Sequence, residues 1–315
     1  ADSHFTGDRM TEQADTRAST SKEGTRSFFI GQAEVPARPL EPGLYLVATP
    51  IGNLGDMTIR GLETLTSANV VACEDTRVTR VLLDRFGISA RPYAYHEHNA
   101  DTVGPKLIER LKAGESVALV SDAGTPLVSD PGYRLAQTAI AEGIRVIPIP
   151  GASAPLAALV ASGLPNDAFL FGGFLPQKDK AKRDRLNELG ATPATLLFFE
   201  SPNRIGATLK AAANELGPER QAAVCRELTK TFEEVRRGTL GELAEAYDGA
   251  SVKGEIVLAI GPGTAEAPSE ADTDTILAGL VSEMSAGQAA SEAARLTGLP
   301  RKDLYKRLLA MKDGG

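Results

Sequence analysis

A chain of 315 residues exceeds one typical domain of roughly 100–200 residues, so two compact units with smaller additions are expected. A hydrophobic share of 42% beside 24% charged residues excludes collagen-like and coiled-coil compositions. The 41 acidic side chains outnumber 34 basic ones, and a net charge of −7 excludes a protein that coats nucleic acid indiscriminately while leaving local basic patches open.

Residues 1–40 mix Thr, Ser, Asp, Glu and Arg without hydrophobic periodicity or an apolar signal-peptide core, and read as a disordered extension. From residue 41 short apolar runs alternate with longer amphipathic stretches, the pattern of an α/β fold around a largely parallel sheet. In a first unit over 41–163 the expected strands are 44–48, 70–73, 117–120 and 145–149. Helices are expected near Met57 and over 102–113, where Val103, Leu107 and Leu111 recur every four residues and Gly114 stops the run. The stretch 146–166 carries no charge and has the length of a membrane span. Pro148, Pro150, Gly151, Pro155 and Pro165 exclude one continuous helix there.

Turn chemistry at 162–167 marks a boundary, and a second unit is expected over 164–262. Its strands are 168–171, 195–199, 222–225 and 255–259, with helices over 180–189, 205–216 and 240–247. A Pro-, Gly- and acid-rich linker is expected over 263–273. Beyond it, 274–315 reads as a small helical extension in which 289–297 and 301–312 flank Gly298-Leu299-Pro300 in helix-turn-helix fashion. Its last helix holds Arg301, Lys302, Lys306, Arg307 and Lys312 against Asp303, a basic island or simply a solvated face.

Several expected strands end in turns with chemical potential, and the carboxyl ends of strands are where open α/β sheets bind ligands. The first runs into Thr49-Pro50-Ile51-Gly52-Asn53-Leu54-Gly55-Asp56, which lacks the three-glycine dinucleotide fingerprint and the Lys-Ser/Thr pair of a phosphate loop. Another ends in Ser121-Asp122-Ala123-Gly124-Thr125-Pro126, where Gly124 allows close backbone approach and Asp122 and Thr125 offer an acceptor and a donor. A third ends in Pro150-Gly151-Ala152-Ser153-Ala154, with Ser153 suited to capping or to ligand contact. Charged strand ends also occur at Cys73-Glu74-Asp75-Thr76-Arg77, Phe199-Glu200-Ser201-Pro202-Asn203-Arg204 and Arg226-Glu227-Leu228-Thr229-Lys230. Each alone is explained by capping or surface pairing; together they fit an interdomain cleft. The segment 177–185 carries five positive and two negative side chains, a solvated face or a phosphate grip. His96-Glu97-His98 provides too few ligands for a metal, and none is assigned. Cys73 and Cys225 match neither a disulfide framework nor a metal spacing, and a reducing cytoplasm is the expected compartment.

Those six segments, taken in chain order with Cys73–Arg77 second, resemble the ribosomal RNA small subunit methyltransferase I family of the tetrapyrrole methylase superfamily, from about Gly43 to Lys312. The first segment departs from the Gly-x-Gly-x-Gly turn usual in porphyrin-type relatives, which disfavours a tetrapyrrole substrate. The resemblance implies a two-domain tetrapyrrole-methylase-like fold, a homodimer, and S-adenosylmethionine in the interdomain cleft. It implies methylation of a cytidine ribose 2′-oxygen of 16S rRNA in the decoding region, with small-subunit ribosomal RNA or the assembled small subunit as partner. By that similarity Pro50, Asp122, Gly124, Thr125, Ser153 and Ala154 are the expected cofactor contacts. Asp75, Glu200, Glu227 and Lys230 remain open as catalytic groups, and Arg77, Lys178, Lys182, Arg183, Arg204 and Arg226 are expected phosphate contacts. The competing readings are a small-molecule methyltransferase with the same cleft and a noncatalytic RNA-binding or ribosome-assembly protein.

Overall fold

The computed structural model describes residues 26–126, 132–263, 270–297 and 299–313. Part of the expected disordered extension is ordered. Strands β1 (Ser27–Ile30) and β2 (Ala33–Pro36) pair antiparallel around Gly31, and Phe28 is fully buried against the first core. The expected disorder over 1–25 falls outside the described residues.

The first unit is a parallel sheet of five strands in the order β5-β4-β6-β3-β7. Strands β3 (Gly43–Val47), β4 (Val70–Cys73), β6 (Ser116–Val120) and β7 (Val146–Ile149) lie close to their expected positions, while the short edge strand β5 (Pro92–Ala94) is unforeseen. β4 and β6 are buried at every position, as both faces of a parallel sheet are covered. One face carries α1 (Ile59–Ser67) and α2 (Thr76–Arg85), whose Leu62, Leu65, Leu82 and Leu83 meet Val47, Val71 and Val120. On the other lie α3 (Ala100–Lys112) and α4 (Gly132–Ala141), packing Val103, Leu107, Leu111 and Leu135 against Leu44, Val70, Val117 and Leu119.

The second sheet has the order β11-β10-β12-β9-β8 and is mixed, a departure from the largely parallel pattern that holds in the first. Only β8 (Phe169–Phe174) and β9 (Thr195–Glu200) run parallel; β10 (Gln221–Arg226), β11 (Glu234–Thr239) and β12 (Ile256–Ile260) pair antiparallel. The reason is connectivity: a short loop turns β10 back into β11, which only antiparallel strands allow. Helices α6 (Asp179–Gly190), α7 (Ile205–Leu216) and α8 (Leu240–Tyr247) cover one face. The opposite face receives α5 (Ala154–Ser162), which follows β7 of the first unit and packs Ala158 and Leu159 on Leu197, Ala223, Cys225 and Val257. A single helix of small residues thus ties the two sheets together.

The expected linker over 263–273 is shorter than read, because α9 (Glu270–Glu283) begins inside it; the surrounding Gly and Pro residues obscure its start. With α10 (Ala286–Thr297) and α11 (Arg301–Asp313) it forms a third unit around Leu277, Ala289, Ala293, Leu304 and Leu308. Among the described residues no helix is long and apolar enough to cross a membrane.

Candidate active site

The turns after β3, β6 and β7 are neighbours because β3 lies between β6 and β7, and backbone bonds knit them. Thr49 and Gly124 exchange two N–H to carbonyl bonds of 3.0 Å, and the Thr125 hydroxyl donates to the Ala152 carbonyl at 3.1 Å. Gly124 adopts φ of 78°, which a side chain rarely tolerates, and a Cβ there would press on Ile51 at 3.3 Å. β4 joins through Asp75, whose N–H donates to Asp122 Oδ1 at 3.0 Å.

Facing these turns are the ends of β9, β10 and β12, and between the two sheets lies a cavity of about 450 Å³. Asp122, Gly124, Thr125, Ser153 and Ala154 line it, so five of the six expected cofactor contacts come together. Pro50 does not; it lines an adjoining crevice of about 370 Å³ between the first turn and α2. The two spaces share Ile51, Ser121, Asp122, Ala123 and Glu255. The larger is also walled by Leu228 of the Arg226–Lys230 segment, by Ile256 and Val257 beside Glu255, and by Phe174, which the sequence did not single out. Phe174 reaches it through an irregularity at Gly172-Gly173, where Phe198 occupies the space of a Gly172 side chain. That Gly pair inside an apolar strand was the available signal of a bulge. Cys225 lies at the wall, and burial pushes its thiol up to about 11, so it is no nucleophile.

The four catalytic candidates occupy distinct settings. Asp75 caps α2 and chelates the Arg77 guanidinium at 2.6 and 3.0 Å, which holds its carboxyl at about 2; it lines neither space. Glu200 lines the larger cavity yet its side chain is enclosed. It accepts from Ser201 N–H and from the Thr208 hydroxyl at 2.7 Å each, with Arg204 3.5 Å away, and so anchors the turn after β9. Glu227 Oε1 accepts from Lys230 Nζ and from Glu255 N–H, both at 2.9 Å, and the Lys230 bond lowers its pKa. Lys230 also donates to Glu255 Oε2 at 2.8 Å. Burial alone would lower its pKa; the two carboxylates outweigh that and keep it an ammonium, which excludes a role as base. The Lys230 stem crosses Gly52 so closely that a Cβ there would stand 2.5 Å from Cγ, joining a second-sheet loop to the first turn.

The expected phosphate contacts are dispersed. Lys182 is 5% exposed on the inner side of α6 and is withdrawn, since a covered side chain cannot grip a phosphate. Arg183 pairs with Asp179, Arg226 with Glu234, and Arg77 with Asp75. Arg204 donates to the Leu175 and Pro176 carbonyls, a framework role. Lys178 is exposed at the start of α6. His96 and His98 follow β5 and line neither space.

Residues 43–244 match the family described as Tetrapyrrole (Corrin/Porphyrin) Methylases, which is the class the paired sheets and their cleft define. Solved structures agree at the level of fold: a cobalt precorrin-4 methyltransferase of cobalamin biosynthesis (TM-score 0.54, 17% identity, covering 69% of this chain and 94% of that one) and a diphthine synthase (0.51, 20%, 69% and 89%). Residues 267–312 match the RsmI C-terminal HTH domain. Proteins named ribosomal RNA small subunit methyltransferase I are far more similar: that of Mesorhizobium japonicum is 64% identical, covering 90% of this chain and 97% of its own length, and that of Escherichia coli O157:H7 is 45% identical, covering 84% and 94%. The chain belongs to the ribosomal RNA small subunit methyltransferase I family, as its six ordered segments implied.

Proposed function

We infer that this chain is an S-adenosylmethionine-dependent methyltransferase that modifies the ribose 2′-oxygen of a cytidine in the decoding region of 16S rRNA. The observation that carries the reading is 64% identity to a protein of that name over 90% of the chain, with the knitted cleft intact. The cleft fits the cofactor. Its volume falls within the roughly 300–1,000 Å³ of small-molecule sites, its walls are apolar, and backbone and hydroxyl groups of Gly124, Thr125 and Ser153 stand at one side. When bound, S-adenosylmethionine supplies an electrophilic methyl group.

The protein's part is to place and to dehydrate. Gly124 and Ala154 let a ligand approach the backbone, while Phe174, Leu228 and Val257 exclude water. Holding two reactants in line removes most of the entropic barrier of a bimolecular transfer. A ribose hydroxyl gains nucleophilicity as its proton leaves, and Asp122 and Glu255 are the carboxylates at the rim shared by both spaces. Asp75, Glu227 and Lys230 support that rim through the bonds above, while Glu200 anchors the turn after β9. A homodimer, the assembled small subunit as substrate and a cytoplasmic location complete the proposal.

The test is incubation with small ribosomal subunits lacking the mark and methyl-labelled cofactor, followed by mapping of the label. One labelled cytidine is expected, and none when 2′-deoxycytidine replaces it, because the 2′-hydroxyl is the acceptor. Label on the deoxy substrate would rule out the 2′-oxygen, and label only on a small molecule would favour the other acceptor class.

A further inference from the structure

The loop joining β10 to β11, residues 227–233, carries the most exposed large apolar side chain of the described residues, Phe232, at 74%. The loop is not slack. Glu227 and Thr229 hold φ of 50° and 70°, a region that non-glycine residues enter only where their surroundings impose it, and such strain gathers at functional sites. The bonds that impose it are Glu227 N–H to the Glu255 carbonyl at 2.9 Å, Glu233 N–H to the Lys230 carbonyl at 3.1 Å, and Thr229 N–H to Glu233 Oε2 at 2.6 Å. The same loop walls both spaces, through Leu228 on the larger and Lys230 on the smaller. Phe232 lies two residues past Lys230 on this loop, outside the linings of both spaces and open to solvent. Across the smaller space α2 presents Val78 and Val81, themselves 45% and 61% exposed.

The lining of the smaller space is acidic on balance, with the carboxylates of Asp122 and Glu255 against Lys230. Phosphates are repelled from such a lining, whereas a base stacking on a neutral ring is not, and unpaired RNA bases are held in this way. Resting on the reading that the acceptor is RNA, we propose that Phe232 is a substrate-binding residue whose ring stacks on an unpaired base adjoining the target cytidine. The rigid loop thereby presents the nucleotide chain to the crevice beside the cofactor cavity.

The experiment compares wild type with Phe232→Ala, Phe232→Tyr and Phe232→Leu, using small ribosomal subunits that lack the methyl mark. Binding is measured across a salt series without turnover, and methylation is measured separately. Phe232→Ala is expected to weaken subunit affinity and raise KM about tenfold, within the range of one lost base stack. The salt slope, kcat and S-adenosylmethionine affinity stay unchanged, since no phosphate contact and no cleft residue is removed. Tyr restores binding and Leu does not. Unchanged affinity in Phe232→Ala, full rescue by Leu, or an altered salt slope would overturn the proposal. Absence of any labelled RNA with wild type would instead refute the acceptor reading, while the binding comparison still judges Phe232.

Discussion

At the scale of single residues, the site is held by groups whose charge is already committed. Asp75 illustrates the consequence for pH. Its carboxylate is bonded to Arg77 in the fold and its pKa falls from 3.8 to about 2. Its stabilising contribution is therefore complete above the unfolded value and disappears as pH falls through about 2. Asp75→Asn keeps a side chain able to cap α2 but loses the charge pairing. Denaturation midpoints should show a deficit for Asp75→Asn at pH 5 that closes between pH 4 and pH 2; a deficit independent of pH would deny the ionic origin. Gly52 makes a different demand. With φ of 153° and the Lys230 stem across it, Gly52→Ala must push Lys230 off Glu227 and Glu255. We expect a loss of about 1–3 kcal/mol in urea denaturation and a fall in kcat, because Lys230 holds Glu255, which lines both spaces. An unchanged midpoint would show that Lys230 yields freely.

At the scale of elements, α5 is the hinge between sheets, and its small residues let it lie close. Ala158 is fully enclosed, with the Cys225 thiol 3.8 Å from its carbonyl. Ala158→Leu should overpack this seam, costing about 1–3 kcal/mol and weakening S-adenosylmethionine binding measured by calorimetry, since Ala154 and Pro155 at the same helix start line the cavity. Stability lost with affinity intact would separate the seam from the site. The elements differ in how far the sequence revealed them. β4 and β6 are apolar at nearly every position because a parallel sheet is buried on both faces, so they are legible as runs. β11 is a half-solvated edge strand reading Glu-Val-Arg-Arg-Gly-Thr and leaves no apolar signature, and α2 begins Thr-Arg-Val-Thr-Arg, with its core residues Leu82 and Leu83 only near its end. Strand direction in the second sheet is a matter of long-range pairing, which no local pattern records. The site follows the same division. Its turns were legible because Gly, Asp and Ser cluster at strand ends, whereas Phe174 and Leu228 enter the cavity only through a bulge and a strained loop.

At the scale of the whole molecule, charge is divided between units. The net charge is −7 and the rim of the cleft is acidic, while the basic side chains of α6 are largely neutralised, Lys180 by Asp184, Arg183 by Asp179 and Arg185 by Glu188. Exposed ion pairs of this kind leave little field for phosphates. The helical unit differs. Its core of Leu277, Ala289, Ala293, Leu304 and Leu308 contains no residue of either sheet, and Arg307 on α11 chelates Asp274 on α9, which fixes α11 within it. Arg301, Lys302 and Lys306 remain exposed on α11. A basic helix on a self-contained unit can engage RNA phosphates without disturbing an acidic cleft. Replacing Arg301, Lys302 and Lys306 together by Ala should therefore leave the thermal midpoint and S-adenosylmethionine affinity unchanged. Small-subunit affinity should fall, and the slope of log affinity against log salt should flatten by about two, as three phosphate contacts at about 0.7 each would give. Retained affinity with an unaltered slope would place the RNA grip elsewhere on the molecule, whereas a lowered midpoint would mean that these side chains support the helical core rather than meet the substrate.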